Sequence, residues 1–192
     1  GSKKPVSADG QNMIISQVLH HHQEELKYYR DSVAQPTLAQ KIAGQINNFH
    51  RARLTPGFLR DFDPSSRRTK AKMEDMALVW DGYNQVLGNQ FEDAVGQWLS
   101  AVGHIRKSGL IRNAQLLIYG FDYITHDILN LVDAAISDNG ADRNGAAEVV
   151  IGLISDDVGP DREIFRAAND SVLSLADYLS HNGYAFTQQR ET

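Results

Sequence analysis

The sequence contains no cysteine, and this absence excludes disulfides, zinc sites built on thiolates and cysteine nucleophiles together. Long apolar runs are also missing. The longest apolar stretches, residues 116–119 and 149–154, fall far short of the roughly 18 to 20 residues that span a bilayer. We therefore expect a cytoplasmic protein that makes no contact with a membrane.

Motifs for nucleotide and metalloprotease chemistry are absent as well. The sequence has no Gly-x-x-x-x-Gly-Lys-Ser/Thr loop, no Gly-x-Gly-x-x-Gly turn and no His-Glu-x-x-His helix. Each of these motifs binds a phosphate or zinc by a defined mechanism. Their absence argues against nucleotide-dependent and zinc-protease functions. The sequence therefore predicts no cofactor.

The composition that remains is that of a globular protein. The chain has 192 residues, of which 42% are hydrophobic and 22% charged, so it is long enough to bury a core without metals or disulfides. We predict a single domain over residues 11–183 and a flexible C-terminal tail over residues 184–192. Residues 1–10 are expected to be a disordered tail that starts with an expression-tag remnant, Gly1-Ser2.

Apolar residues recur at steps of three and four along most of the chain, which places them on one face of a helix. This spacing predicts an all-α fold, an elongated antiparallel bundle of six to seven helices. The segment 146–155 fits a short helix or a strand, and helix is favoured because no partner strand is predicted. The predicted seams are Ile15–Val33, Leu38–Phe49, Met73–Leu87, Phe91–Ile105, a central seam Leu110–Ala135, residues 146–155, and Phe165–Leu179.

Between Leu54 and Lys72 the periodicity fails, and Pro56-Gly57 and Pro64 indicate a long loop. Residues 41–72 contain eight basic side chains against two acidic ones, although the whole chain has a net charge of −5. Residues 113–192 contain thirteen acidic side chains against four arginines. The basic loop is therefore the candidate site for a partner or a phosphate, through Arg51, Arg53, Arg60, Arg67, Arg68, Lys70 and Lys72.

Opposite charges in the two halves favour a non-enzymatic protein-interaction or adaptor module, able to self-associate through the basic loop and the acidic half. The alternative is a coat-like nucleic-acid-binding protein, in which the same arginines contact phosphates and Phe49, Phe58 and Phe62 stack on bases. The predicted partner is accordingly a protein or a second copy, with nucleic acid as the alternative.

A second alternative is an enzyme. Asp122 and His126 stand one helical turn apart in the predicted central helix, an arrangement that orients an imidazole as a general base. An amphipathic helix also needs a polar face, and no serine, threonine or cysteine nucleophile stands at an interpretable spacing. The sequence therefore assigns no catalytic residue.

Two segments resemble metal sites and fail on geometry. His20 and His21 each have a glutamate one turn later, but consecutive helical side chains point about 100° apart, so the triplet His20–His22 cannot converge on one ion. Asp142, Asn144 and Gly145 match three positions of a calcium loop, whereas its last position, normally a bidentate glutamate, is Ile151. The sequence predicts no metal.

Overall fold

A computed structural model describes residues 3–121, 123–136, 145–153 and 163–187. The chain divides into two compact units, residues 1–100 and 101–192. The described residues are mostly helical, which confirms the predicted all-α class, with minor short strands. The helices are α1 Ala8–His21, α2 Leu38–Arg51, α3 Pro56–Asp61, α4 Arg67–Leu87, α5 Ala94–Ser108, α6 His126–Ile136 and α7 Glu163–His181, with a 3-10 turn at Arg30–Ser32. The strands are β1 Lys4–Pro5, β2 Phe91–Glu92, β3 Gln115–Phe121 and β4 Glu148–Leu153.

In the first unit, α1 packs against α2 and α4 around one apolar core. The side chains that fill it lie on the faces that the three-four spacing predicts, because a 3.6-residue period keeps such positions on one side of a helix. This core fixes the three long helices that support the candidate site. Its most buried members include Ile15, Leu19, Ile42, Ile46, Met76, Val79, Trp80 and Tyr83.

Side-chain caps determine where several of these helices begin. The hydroxyl of Ser7 accepts a hydrogen bond from the backbone N–H of Gly10, and Thr55 and Ser66 cap α3 and α4 in the same way. Such caps satisfy backbone donors that have no partner within the helix. At the other end of α4, Gly88 takes a positive φ of 51°, a conformation that costs glycine little because it has no β-carbon.

The first helix is shorter than the sequence predicts. It ends at His21, and the chain then turns, although Leu26 and Val33 of the predicted seam are both buried. The physical reason is a tertiary contact, because the Asp75 side chain takes the backbone N–H groups of residues 27–29 that a continuous helix would use internally. Apolar periodicity therefore identifies the buried residues here but not the backbone conformation.

The stretch predicted as a long basic loop contains more helix than expected. Pro56 starts α3 inside it, and Arg67 starts α4 several residues before Lys72. Pro56, which indicated a loop, instead lies in the first turn of α3 after the N-cap Thr55, and Ser66 is the N-cap of α4. The connection between α3 and α4 is consequently short.

Part of the expected N-terminal tail is also ordered. Strand β1 pairs in parallel with β2, and the backbone N–H of Lys4 donates to the carbonyl of Gln90 at 2.7 Å. The N–H of Val6 donates to the carbonyl of Glu92 at 2.9 Å. These bonds hold the residues before α1 against the residues before α5. The domain boundaries at residues 11 and 183 stay a prediction.

The second unit is built on a parallel strand pair. Strand β3 pairs with β4 so that Leu117 lies opposite Val150, and α6 lies within the connection that parallel strands require. Ile118 packs with Ile128, Val132 and Leu179 in a core that α6 and α7 share. None of the helices in the described residues is both long enough and apolar enough to span a bilayer.

Two helix predictions in this unit are wrong. The predicted central helix is divided into β3 and α6, with Gly120 at a φ of 85° that a right-handed helix excludes. The segment predicted as a helix from residue 146 forms β4 instead, and residues 154–155 lie outside the described part. Each segment supplies the partner strand of the other, and a segment-by-segment search for periodicity does not detect such pairing.

Candidate functional site

The candidate residues lie on consecutive elements of the first unit, on a stretch called here the basic segment, residues 51–72. It covers the end of α2, all of α3 and the beginning of α4. Helix α3 packs along α4, with Leu59 as its buried anchor. The structure thus brings the cations of α3 and α4 onto two adjoining helices.

Two cations of the basic segment are engaged in contacts that fix α3 to α4. The Lys70 ammonium donates to the carbonyl oxygens of Arg60 at 2.9 Å and Phe62 at 2.8 Å. These carbonyls lie at the C-terminal end of α3, where a helix has no internal donors left for them. Arg60 forms an ion pair with Asp81 of α4. Both side chains therefore stabilise the local structure in addition to any role in binding.

Arg68 contacts an aromatic residue, Tyr28, that lies outside the basic segment. Its guanidinium carbon lies 5.3 Å from the centroid of the Tyr28 ring. A guanidinium N–H also donates a hydrogen bond to the Tyr28 hydroxyl oxygen at 3.2 Å. Such cation–π contacts contribute about 0.5 to 1 kcal/mol at exposed sites. The two residues are 40 positions apart, so no local spacing in the sequence indicates this contact.

Tyr28 is positioned by a buried carboxylate. Asp75 on α4 accepts hydrogen bonds from the backbone N–H groups of Lys27 at 2.9 Å, Tyr28 at 2.7 Å and Tyr29 at 2.9 Å. Beside it, the Lys27 ammonium lies 2.6 Å from the Glu74 carboxylate. This hydrogen bond raises the pKa of Lys27 and lowers the pKa of Glu74. The turn that carries Tyr28 is therefore fixed to α4.

The remaining cations differ in their surroundings. Arg67 is exposed and Lys72 is partly exposed, and neither forms an ion pair within residues 3–121, 123–136, 145–153 and 163–187. Arg51 and Arg53 have polar contacts of their own, and Arg53 stands just after α2 with a φ of 57°. Among the described residues, Arg67 and Lys72 are thus the candidates whose side chains have neither an ion pair nor a hydrogen bond.

Aromatic rings accompany these charges, as the sequence predicts, but only two are accessible. Phe58 and Phe62 are 52% and 44% exposed. Their rings are stacked, with centroids 6.5 Å apart and planes inclined by 21°. Phe49 instead packs on the buried Trp80 ring at 6.3 Å between centroids, so it belongs to the core. The accessible aromatic surface is the pair formed by Phe58 on α3 and Phe62 directly after it.

A second buried carboxylate lies at the start of α5. Asp93 accepts hydrogen bonds from the Tyr83 hydroxyl at 3.0 Å and from the Gly96 N–H at 2.8 Å. Burial, followed by the charge of Asp93, raises the pKa of the Tyr83 phenol. Burial also raises the pKa of Tyr29 to about 12. Both phenols are thus held in their neutral form by the folded state.

These tyrosines predict a loss of stability in alkali. The unfolded chain ionises tyrosine near pH 10, about two units below the folded value for Tyr29. The folded state therefore keeps protons that the unfolded state releases, and stability that is present below about pH 10 is lost as the pH rises to about 12. We expect Tyr29→Phe to flatten this decline, measured as urea midpoints at about pH 8 and about pH 11. Tyr119→Phe, at an exposed tyrosine, should leave it unchanged, and equal slopes in wild type and Tyr29→Phe would contradict the assignment.

Two of the histidines considered as metal candidates have local hydrogen-bond partners. His20 bonds to the Ser16 carbonyl at 2.8 Å, whereas His22 contacts Glu25 at 2.6 Å. No group of three or more possible metal ligands occurs among the described residues. His126 begins α6, but Asp122 and the calcium-loop-like residues 137–144 lie outside the described part.

The second unit exposes an apolar sheet face. Leu117, Tyr119 and Phe121 of β3 and Val150 of β4 are exposed, while the alternate side chains pack against α6 and α7. Parallel strands are usually covered on both faces. This face is the second accessible apolar surface, after the Phe58–Phe62 pair, that bears on function.

Comparison with known proteins identifies a family that matches the whole sequence and relatives that match most of it. The profile of the family described as "ADDB, N-terminal" matches residues 1–192. A protein of Pediococcus pentosaceus is 27% identical over 158 residues, covering 79% of this chain and 13% of that protein. One of Desulfitobacterium hafniense DCB-2 is 24% identical over 153 residues, covering 80% and 12%. One of Staphylococcus aureus MRSA252 is 29% identical over 126 residues, covering 62% and 11%.

All three relatives are named as one subunit of an ATP-dependent helicase/deoxyribonuclease, and this chain spans only about an eighth of their length. The adaptor function predicted from the charge asymmetry is therefore wrong, because the relatives are subunits of an enzyme that acts on DNA. The coat-like alternative is wrong for the same reason. An uneven charge distribution indicates that a protein binds a polyanion or a charged protein partner. It does not show whether that protein is an adaptor, a coat-like protein or part of an enzyme.

Proposed function

Since this chain belongs to the ADDB N-terminal family, we propose that it forms part of one subunit of an ATP-dependent helicase/deoxyribonuclease. It would act there on DNA, in the cytoplasm, together with at least one further subunit. The match of the family profile to residues 1–192 is the observation that carries this proposal. The role proposed for these residues is DNA contact and not ATP binding, because the sequence has no Gly-x-x-x-x-Gly-Lys-Ser/Thr loop.

The basic segment is the proposed DNA contact. It contains seven cations, Arg51, Arg53, Arg60, Arg67, Arg68, Lys70 and Lys72, against two acids, Asp61 and Asp63. Clustered arginine and lysine side chains neutralise phosphates and release counterions, which makes such binding strong at low salt. The structure supports this role because it places five of these cations, Arg60, Arg67, Arg68, Lys70 and Lys72, on the adjoining helices α3 and α4. It also leaves Arg67 and Lys72 without a carboxylate partner in the described residues.

Charge reversal at these two positions tests the DNA contact. We expect the double variant Arg67→Glu, Lys72→Glu to bind a labelled oligonucleotide about tenfold more weakly at about 50 mM salt, and its affinity to depend less steeply on salt. Fluorescence anisotropy measures both. The exposed Lys107→Glu, which changes the net charge outside the basic segment, should weaken binding much less. Equal losses in both variants would mean that only net charge matters.

A contact with protein is also part of the proposal, because the relatives are named as subunits. The exposed sheet face, Leu117, Tyr119, Phe121 and Val150, supports this. A parallel strand pair with one bare apolar face gains stability when another protein surface removes that face from water. We assign this face to a second protein of the assembly.

A further inference from the structure

The Phe58–Phe62 pair is exposed although α3 itself is firmly placed. Leu59, between them in sequence, is buried against the first unit, so α3 already has an apolar face turned to the core. Phe62 directly follows α3, and its ring stacks with that of Phe58, with both rings exposed. The exposure therefore does not come from a helix that has failed to pack.

Several polar contacts hold the two rings in place. The Thr55 hydroxyl caps α3 through the N–H of Phe58 at 3.2 Å. At the other end, the Lys70 ammonium lies 2.8 Å from the carbonyl oxygen of Phe62, and Arg60 is paired with Asp81. Two aromatic rings on such a support lose little conformational freedom when a flat ligand stacks on them.

The charges around the rings indicate which flat ligand fits. Lys70 places a positive charge beside Phe62, and Arg67 lies one helical turn before Lys70 on the same side of α4. Asp61 and Asp63 are the acids of this segment, against its seven cations. An apolar protein partner would gain little from this excess of cations, whereas a nucleic acid offers stacking faces and phosphates together.

We propose that Phe58 and Phe62 form a base-stacking platform for single-stranded DNA, with the phosphates running along Lys70 and Arg67. This inference rests on the proposed function, since it presumes that the chain contacts DNA. Single strands are specified because the bases of a duplex are already stacked on one another, so an aromatic side chain reaches a base face only where the strand is unpaired.

The test compares single-stranded poly(dT) with a duplex of the same length, bound to wild type and to the double variant Phe58→Ala, Phe62→Ala. We expect the variant to bind the single strand about tenfold more weakly, with duplex binding and the salt dependence unchanged because no phosphate contact is removed. Met13→Ala, at an exposed apolar residue of α1, is the matched control and should bind both like wild type. Fluorescence of the buried Trp80 verifies folding.

Direct contact is tested by Phe58→Trp in a Trp98→Phe background. The added indole should lie at the surface, and poly(dT) should quench its fluorescence if a base stacks on it. Absence of quenching, or unchanged single-strand binding by the double alanine variant, overturns the platform. Unchanged single-strand binding by the double alanine variant would indicate that the two rings contact a protein and not a base.

The two proposals fail in different ways. If the platform is wrong and the proposed function right, Arg67→Glu, Lys72→Glu still weakens DNA binding while Phe58→Ala, Phe62→Ala does not. If the alanine variant loses single-strand and duplex binding equally, stacking is again excluded. If the wild-type chain binds neither form of DNA at low salt, the proposed DNA contact fails, and the platform with it.

Discussion

Asp75→Ala is expected to lower the free energy of unfolding of the first unit by about 3 kcal/mol. The carboxylate is buried, at 2% exposure, and it accepts the backbone N–H groups of Lys27, Tyr28 and Tyr29. Alanine leaves these donors with no partner in the structure, and each buried donor without an acceptor costs about 1 to 3 kcal/mol. The expected total is below the simple sum because the turn can relax toward water.

The isosteric variant separates charge from shape. Asp75→Asn keeps the volume of the side chain, and its one amide oxygen can take the place of Oδ2, which accepts from all three N–H groups. It loses the negative charge, however, and its NH2 group replaces the oxygen that accepts the second contact from the Lys27 N–H. We expect an intermediate loss of about 1 to 2 kcal/mol. A loss as large as that of Asp75→Ala would show that the negative charge, and not the number of acceptors, stabilises the turn.

Both losses are measured by urea unfolding followed through Trp80, which is buried in the core of the first unit. Trp98 is the second tryptophan of the chain and is replaced by phenylalanine so that one site reports. The control is Asp61→Ala, at an exposed carboxylate, which should change stability by less than about 0.5 kcal/mol. If Asp75→Ala unfolds at the same urea concentration as this control, the three hydrogen bonds contribute nothing to stability.

Helices that pack through a single apolar face could be predicted from the sequence. In α4, Met76, Trp80 and Tyr83 are buried as their three-four spacing indicates, and the helix ends at Leu87, the last residue of the predicted seam. This works because the information is local, with the period, the cap and the terminating glycine within one stretch of chain. The same is true of the core face of α2.

The strands could not be assigned in this way, because two periods fit the same residues. Leu117, Phe121 and Ile124 satisfy a helical spacing, whereas Leu116 and Ile118 satisfy the alternation of a strand. The choice depends on a partner, and for β3 the partner is β4, about 30 residues later and itself ambiguous. In such cases the secondary structure is decided by pairing between distant segments. The periodicity within one segment carries no information about that pairing.

The sequence predicts which charged residues belong to the candidate site, but it does not predict how their side chains are arranged. Counting charges identifies the basic segment, but it does not show that Lys70 binds the end of α3 or that Arg60 is paired with Asp81. Nor does it show Tyr28 beneath Arg68. These contacts join residues that are between 8 and 40 positions apart, so they depend on how α1, α3 and α4 pack. Which cations remain for a ligand is therefore a property of the fold.

Two glycine-to-alanine substitutions are expected to change stability in opposite directions. Gly82→Ala should destabilise the first unit by about 1 to 2 kcal/mol, and Gly44→Ala should stabilise it by about 0.5 to 1 kcal/mol. Both glycines lie inside long helices, α4 and α2, so helix propensity favours alanine at each by a similar amount. Any difference in sign must come from what the added methyl group meets.

At Gly82 a β-carbon would lie 2.6 Å from Cγ1 of Val18 on α1, whereas at Gly44 it would meet no atom within 4 Å. Val18 cannot readily turn aside, because it is buried and a β-branched side chain has one strongly preferred rotamer in a helix. Alanine at position 82 would therefore push α1 away from α4, and both helices carry the core. Urea midpoints read from Trp80 measure the two effects. A Gly82→Ala protein as stable as Gly44→Ala would mean that α1 and α4 do not approach this closely, and the positioning of Tyr28 by Asp75 would lose its support.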